Sequence, residues 1–208
     1  MLIEKKNEDF AGDISGRNVL KPKILTNSQK GGHSVEELHD KKVVIISTHN
    51  FEDTELIYPY YRLKEAGAKV KIASLEKGVI RGKHGIEVTA ECTIKELDAD
   101  NYDAVIIPGG WAPDRLRVYK EVLEFVSKMN KKGRLIAAIC HGPHVLISAG
   151  VVKGRKLTAV RPLWDDLKNA GAEVLDTAVV RDKNLVTSRF PPDLPAFCKE
   201  IIKALSKT

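Results

Sequence analysis

Cys140 is the residue whose surroundings point most directly to chemistry. The apolar run Leu135 to Ile139 stops at it, His141-Gly142-Pro143 follow, and an amphipathic helical pattern starts at Val145. A buried-strand run feeding a Gly/Pro-punctuated turn reads as strand, sharp turn, helix. That places Cys140 at the tip of a nucleophile elbow, a strained turn that presents its central side chain above the sheet edge. The sulfur would also lie at a helix N-terminus, where free N–H groups and the positive dipole end favour thiolate over thiol. Ala137, Ala138 and Gly142 keep the turn uncrowded, and Pro143 suits a first helical turn. The competing reading is packing, because cysteine is among the most buried residue types.

Two further strand ends carry polar or glycine-rich residues. Phe51-Glu52-Asp53-Thr54-Glu55 follows the apolar run Val43 to Thr48, and Pro108-Gly109-Gly110 follows Asp103 to Ile107. Glu55 falls in a first helical turn, where a carboxylate can simply stabilise the helix N-terminus. In a closed pocket it would instead be an acid/base group with a raised pKa beside the sulfur. Glu52 and Asp53 compete for that role, and Asp53 reads better as the helix cap. The N–H groups of Gly109, Gly110 and His141 could face a developing oxyanion, although Pro-Gly-Gly is also an ordinary turn. No phosphate-cradling glycine motif occurs at a strand–helix junction.

The six histidines are His33, His39, His49, His84, His141 and His144. None lies downstream of His144, which excludes a triad whose histidine follows far behind the cysteine. His141 directly follows the sulfur-bearing residue, so its ring can point away from the sulfur, yet it could still act if a carboxylate oriented it. His141 and His144 stand three apart and could share a metal, but no third ligand is apparent, so no metal is expected. His49 and His84 read as loop residues, and Cys92 and Cys198 as packing or surface positions.

These residues need a scaffold. The chain has 208 residues, 43% hydrophobic and 30% charged, which fits one soluble globular domain. Three widely spaced cysteines form neither a disulfide framework nor a zinc site. The net charge of +6 is dispersed among acids rather than gathered in a basic run, so no nucleic-acid partner is expected. No apolar run is long enough for a bilayer, and MLIEKKNEDFAGDISG lacks the apolar centre of a secretory signal, so a cytoplasmic protein with reduced thiols is expected. Residues 1–41 read as a polar N-terminal extension, flexible in character, and residues 42–208 as the functional domain.

Within that domain strands and helices alternate. Helices are predicted over Asp53 to Gly67 with a kink at Pro59, Pro113 to Lys132, Gly142 to Gly150, Pro162 to Ala170 and Leu194 to Lys207. Lys69 to Ser74, KLTAV, EVLD, AVVRD and NLVTSR read as strands, and Val79 to Thr89 as a hairpin turning at Gly82 to Gly85. The alternation predicts an α/β fold, a mostly parallel sheet with helices on both faces. Ligands of such sheets bind at the carboxyl ends of the strands, the edge where Glu55, Gly109 and Cys140 all fall.

The segments FEDTELIYPYYRLKEAG, GKHG, DAVIIPGGWAPDRLR, AAICHGPHVLISAGVVKGRKLTA, KNAGAEV and LVTSRFPPDLPAF resemble the PfpI-type intracellular cysteine peptidase/deglycase family over about residues 42–205. That family shares a superfamily with the Parkinsonism-associated deglycase and the class I glutamine amidotransferases. The resemblance implies a flavodoxin-like three-layer sandwich, a nucleophile at Cys140 and a contact from Glu55 to its sulfur. It implies that His141 pairs with an acid from a neighbouring subunit, here Asp114, in a dimer or hexamer. The implied activity needs no cofactor. One form is chemistry on 2-oxoaldehydes or glycated adducts of proteins, in a small pocket walled by Trp111, Tyr58 and Phe190. The alternatives are peptide hydrolysis and a non-enzymatic role as redox sensor or stress chaperone through Cys140 oxidation.

Overall fold

The apolar runs are continuous because each strand is buried on both faces, and their two-residue period divides them between two cores. In β1 (Lys42–Ile46), Val43 and Ile45 join one cluster while Val44 and Ile46 join the other. The computed structural model describes residues 37–207. In chain order the remaining elements are α1 (Asp53–Glu65), β2 (Lys69–Ser74), β3 (Gly78–Arg81), β4 (Glu87–Ala90), β5 (Cys92–Thr93), β6 (Ala104–Ile107), α2 (Ala112–Leu116), α3 (Lys120–Lys131), β7 (Leu135–Ile139), α4 (Pro143–Ser148), β8 (Lys156–Leu157), α5 (Trp164–Asn169), β9 (Glu173–Val174), β10 (Val179–Asp182), β11 (Leu185–Ser188) and α6 (Leu194–Leu205).

Seven strands form one sheet in the order β10-β11-β7-β6-β1-β2-β5. All neighbours are parallel except β10, which pairs antiparallel with β11 at the edge. Helices α1 and α6 cover one face with the β3–β4 hairpin, whereas α3, α4 and α5 cover the other. This is the expected three-layer, flavodoxin-like α/β sandwich. Leu56 of α1 and Phe197 of α6 are fully buried in the first core, and Val126 and Met129 of α3 in the second. The order of strands reverses at β1 and β6. The segments after β1, β6 and β7, three adjacent strands, therefore meet at one edge of the sheet.

Several boundaries differ from the sequence reading. The helix expected over residues 113–132 is two helices: Arg117 caps α2 through its N–H to the Pro113 carbonyl, and extended Tyr119 starts α3. No Gly or Pro marks that break. It is set by packing, with Arg117 Nε donating to Ser148 Oγ of α4 at 2.9 Å. KLTAV and EVLD shrink to β8 and β9, which pair with each other outside the main sheet. Helix α1 runs on through Pro59. The domain also reaches further back than residue 42, because Leu38 is fully buried and donates its N–H to Ala66 O at 2.8 Å. The rest of the proposed extension, residues 1–36, lies outside the described residues. Among the described residues no helix is long and apolar enough to cross a membrane.

Candidate active site

Cys140 has φ +60°, a left-handed backbone at a residue that is not glycine. Such a conformation costs about 1–3 kcal/mol and persists only when the surroundings impose it. Here they do: the Cys140 N–H donates to Ser188 O of β11 at 3.1 Å, and the Cys140 carbonyl accepts from Val160 N at 3.3 Å. The elbow is therefore built as expected. The residue is half-buried, and the N–H groups of His141 and Gly110 lie near enough to the sulfur to favour its ionised form.

Glu55 is fully buried in the first turn of α1. Its Oε2 accepts the Gly109 N–H at 2.7 Å. That close approach requires glycine, since a Cβ at position 109 would lie 2.7 Å from both Glu55 Oε2 and Cys140 Cβ. The Gly109 N–H is thus committed to Glu55, and the oxyanion donors that remain are Gly110 and His141. Glu55 Oε1 is buried without a hydrogen-bond partner, and the carboxyl lies across the Gly109 position from Cys140, near enough for the two groups to influence each other's ionisation. Burial raises the Glu55 pKa to about 7, helped by the charge of Glu52 and opposed by the Gly109 hydrogen bond.

The expected resting thiolate meets opposing forces in the fold. Burial, and then the neighbouring Glu55 charge, push the Cys140 thiol up to about 12 against the two N–H groups that favour ionisation. Helix α4 is only six residues long, too short for its dipole to offset the loss of water. Sulfur and carboxyl form one coupled unit in which ionising either group opposes ionising the other.

The His141 ring faces the sulfur rather than away from it, with Nδ1 3.4 Å from Cys140 Sγ. Burial lowers its pKa, as does His144, so at neutral pH the ring is uncharged and able to accept a proton. His141 and His144 meet edge to face, with ring centres 5.7 Å apart. Asp114 Oδ1 lies 2.7 Å from His144 Nδ1 of its own chain, so its partner in the chain is His144 and not His141.

The remaining site residues sort differently from their expected roles. Asp53 does not cap α1; its two carboxylate oxygens accept the N–H groups of His84 and Ile86 at 2.9 Å each. Glu52 occupies the cap position with no side-chain cap bond, and its Oε2 instead meets Lys83 Nζ at 2.6 Å. Lys83 was missed, although GKHG already stood in the hairpin turn; only the fold brings that turn over the α1 N-terminus. Trp111 is 64% exposed and is held by its N–H to Asn50 O. Tyr58 lines a separate groove of about 920 Å³ between α1 and the start of α6, with Ile57, Tyr61, Pro191 and Leu194. Phe190 is partly exposed under the Arg189 guanidinium, 4.7 Å from its ring centre. Cys198 is buried and Cys92 half-buried, as packing residues would be. No group of three potential metal ligands occurs among the described residues.

A half-buried cysteine on a strained strand–helix turn, with a buried carboxyl and an adjacent imidazole beside it, makes up the candidate site on a flavodoxin-like scaffold. Residues 41–204 match the family model described as the DJ-1/PfpI family, and the chain belongs to that family. It is 51% identical over 164 residues to the protein named Deglycase PfpI of Pyrococcus furiosus, covering 79% of this chain and 99% of that one. It is 42% identical over 166 residues to the Putative cysteine protease YraA of Bacillus subtilis, covering 79% and 98%. Drosophila melanogaster DJ-1beta shares the fold with a TM-score of 0.76 at 29% identity, over 81% of this chain and 91% of that one.

Proposed function

We propose that the protein is a cofactor-independent enzyme acting on 2-oxoaldehydes or the adducts they form with proteins, with Cys140 as nucleophile and Glu55 as proton carrier. The observation that carries this reading is the Glu55 carboxyl: fully buried, bonded on one oxygen only, poised near neutrality and set against the same glycine, Gly109, as Cys140. A group that must take and return protons works best with a pKa near the working pH.

In this reading Glu55 accepts the thiol proton as sulfur adds to the aldehyde carbon. The N–H groups of Gly110 and His141 meet the alkoxide, which then takes that proton back from Glu55 and becomes a hemithioacetal. Glu55 next removes the proton from the carbon bonded to sulfur and delivers it to the adjacent carbon, while a hydroxyl proton passes between the two oxygens. The product is a thioester, and water releases a 2-hydroxy acid and the free thiol. The raised thiol suits this order, because the sulfur ionises only as its proton is taken.

Peptide hydrolysis is the second reading, favoured by one observation. The uncharged His141 stands within reach of the sulfur and could pass the thiol proton to a leaving amine. Oxidative sensing through Cys140 has less support, since oxidation proceeds through the thiolate that burial and Glu55 disfavour. Lactate formation from methylglyoxal, measured beside peptide-amide cleavage, tests these readings. Lactate made by the wild type, and lost in both Cys140→Ser and Glu55→Gln, is expected; amide cleavage without lactate would refute the proposal.

We also propose that the protein self-associates, as a dimer or hexamer, through the surface around Asp114. Val79, Val118 and Tyr119 are exposed there around one hollow beside Arg115. In such an assembly Asp114 would exchange His144 for His141 of a second copy. Light scattering on the purified protein should show an oligomer.

A further inference from the structure

One pair of side chains next to the nucleophile has no task in the scheme above. His144, in the first turn of α4, has its Nδ1 2.7 Å from Oδ1 of Asp114, in the first turn of α2. A carboxylate oxygen can only accept, so Nδ1 carries the hydrogen, and the bond fixes both the tautomer and the plane of the ring. The His144 side chain is 13% exposed against 61% for Asp114, so the ring is enclosed and the carboxylate reaches it from the rim. A second bond runs alongside, Arg117 Nε donating to Ser148 Oγ at 2.9 Å. Residues three and four apart share a helix face, so the two bonds clamp the same faces of α2 and α4.

The enclosed ring rests on His141. The two imidazoles meet edge to face, with centres 5.7 Å apart and planes at 70°, a preferred geometry for a ring pair. His141 Nδ1 in turn lies 3.4 Å from Cys140 Sγ. Besides the sulfur, no hydrogen-bond partner meets the His141 ring among the described residues. Its orientation therefore depends on what packs against it, and His144 is the ring that does. Direct contacts thus run from Asp114 to His144, from His144 to His141, and from His141 to the sulfur.

We infer that His144 is a positioning residue that holds the His141 ring against the Cys140 sulfur, and that Asp114 of the same chain orients His144. Held there, His141 offers the thiol proton a second acceptor beside Glu55: Nδ1 takes the proton as the S–H bond breaks, and the electron pair left on sulfur forms the new bond. His144 plays this part whichever carbonyl is attacked, given that Cys140 is the reactive group. It needs no second copy, whereas the assembly proposed above would send Asp114 directly to His141 of another copy.

The test is the rate of Cys140 alkylation by iodoacetamide near neutral pH, followed on the Cys140 peptide by mass spectrometry so that Cys92 and Cys198 do not contribute. His141→Asn should slow alkylation about tenfold. His144→Gln and Asp114→Ala should each slow it about threefold. Asp114→Asn, whose amide oxygen still accepts from His144 Nδ1, should stay close to wild type. In the His141→Asn background neither His144→Gln nor Asp114→Ala should slow it further, because both act through His141. Arg117→Met cuts the neighbouring bond between α2 and α4 and should leave the rate unchanged. An unchanged rate in His144→Gln, the same slowing with and without His141, or equal slowing by Arg117→Met overturns the inference. Slowing by Asp114→Ala but not by His144→Gln overturns it too, and assigns the carboxylate to a second copy. Asp114 lies at the rim, so its variants decide the matter should His144→Gln fold poorly. The expected pattern in a protein that makes no lactate would sustain this inference and refute the proposed reaction.

Discussion

Replacing Glu55 with Gln should abolish turnover and yet stabilise the protein at alkaline pH. In the unfolded chain this carboxyl ionises near 4.5, whereas burial lifts it to about 7 in the fold. Between those values the folded state binds the extra proton, so stability falls as pH rises through that window and stays lower above it. A difference of this size corresponds to about 3 kcal/mol at full ionisation. Glutamine keeps a neutral acceptor for the Gly109 N–H, and the charge-assisted strength of the wild-type bond is already contained in the value of about 7. The net expectation at pH 8 is therefore a gain of about 3 kcal/mol, or several degrees in melting temperature for a domain of this size. At pH 5 the advantage should vanish, because wild-type Glu55 is then protonated in the fold. Calorimetric scans across that range, with lactate formation measured on the same samples, check both halves. A Glu55→Gln protein equally destabilised at pH 5 and pH 8 would show that Glu55 is not a strained, half-satisfied acid.

The same substitution removes the negative charge beside Cys140, so alkylation of that cysteine at pH 8 should rise about tenfold or more while turnover disappears, and slower alkylation would refute the coupling. Gly109→Ala places a methyl group 2.7 Å from Glu55 Oε2 and Cys140 Cβ; a loss of about a hundredfold in turnover is expected, with stability lowered by about 1–3 kcal/mol, measured by kinetics and urea unfolding. Asp53→Ala strips two N–H groups of their acceptor, and should cost about 2–3 kcal/mol and speed hydrogen exchange at His84 and Ile86. Val118→Glu on the exposed surface near Asp114 should leave the monomer's fold intact and shift light scattering to a smaller species.

Much of this protein was legible in the sequence because the relevant signals are local. Three apolar runs buried on both faces, each ended by chemistry-bearing residues, were enough to specify a parallel sheet and one functional edge. The elbow at Cys140 is signalled in five residues, although the bonds that hold its left-handed backbone come from Ser188 and Val160, far along the chain. The break between α2 and α3 left no such trace, because Arg117 to Tyr119 are neither Gly nor Pro and the interruption is set by packing against α4. Partnerships across the chain were equally silent. Lys83 reaches Glu52, and Asp53 receives the turn at His84, only once the hairpin folds over the start of α1. The protonation of Cys140 and Glu55 is the clearest case of all. Residue type set their ordinary pKa values, and the expected helix dipole argued for a thiolate. Burial and the approach of the two side chains act against it, because desolvation and the interaction of like charges depend on distances that a sequence does not contain.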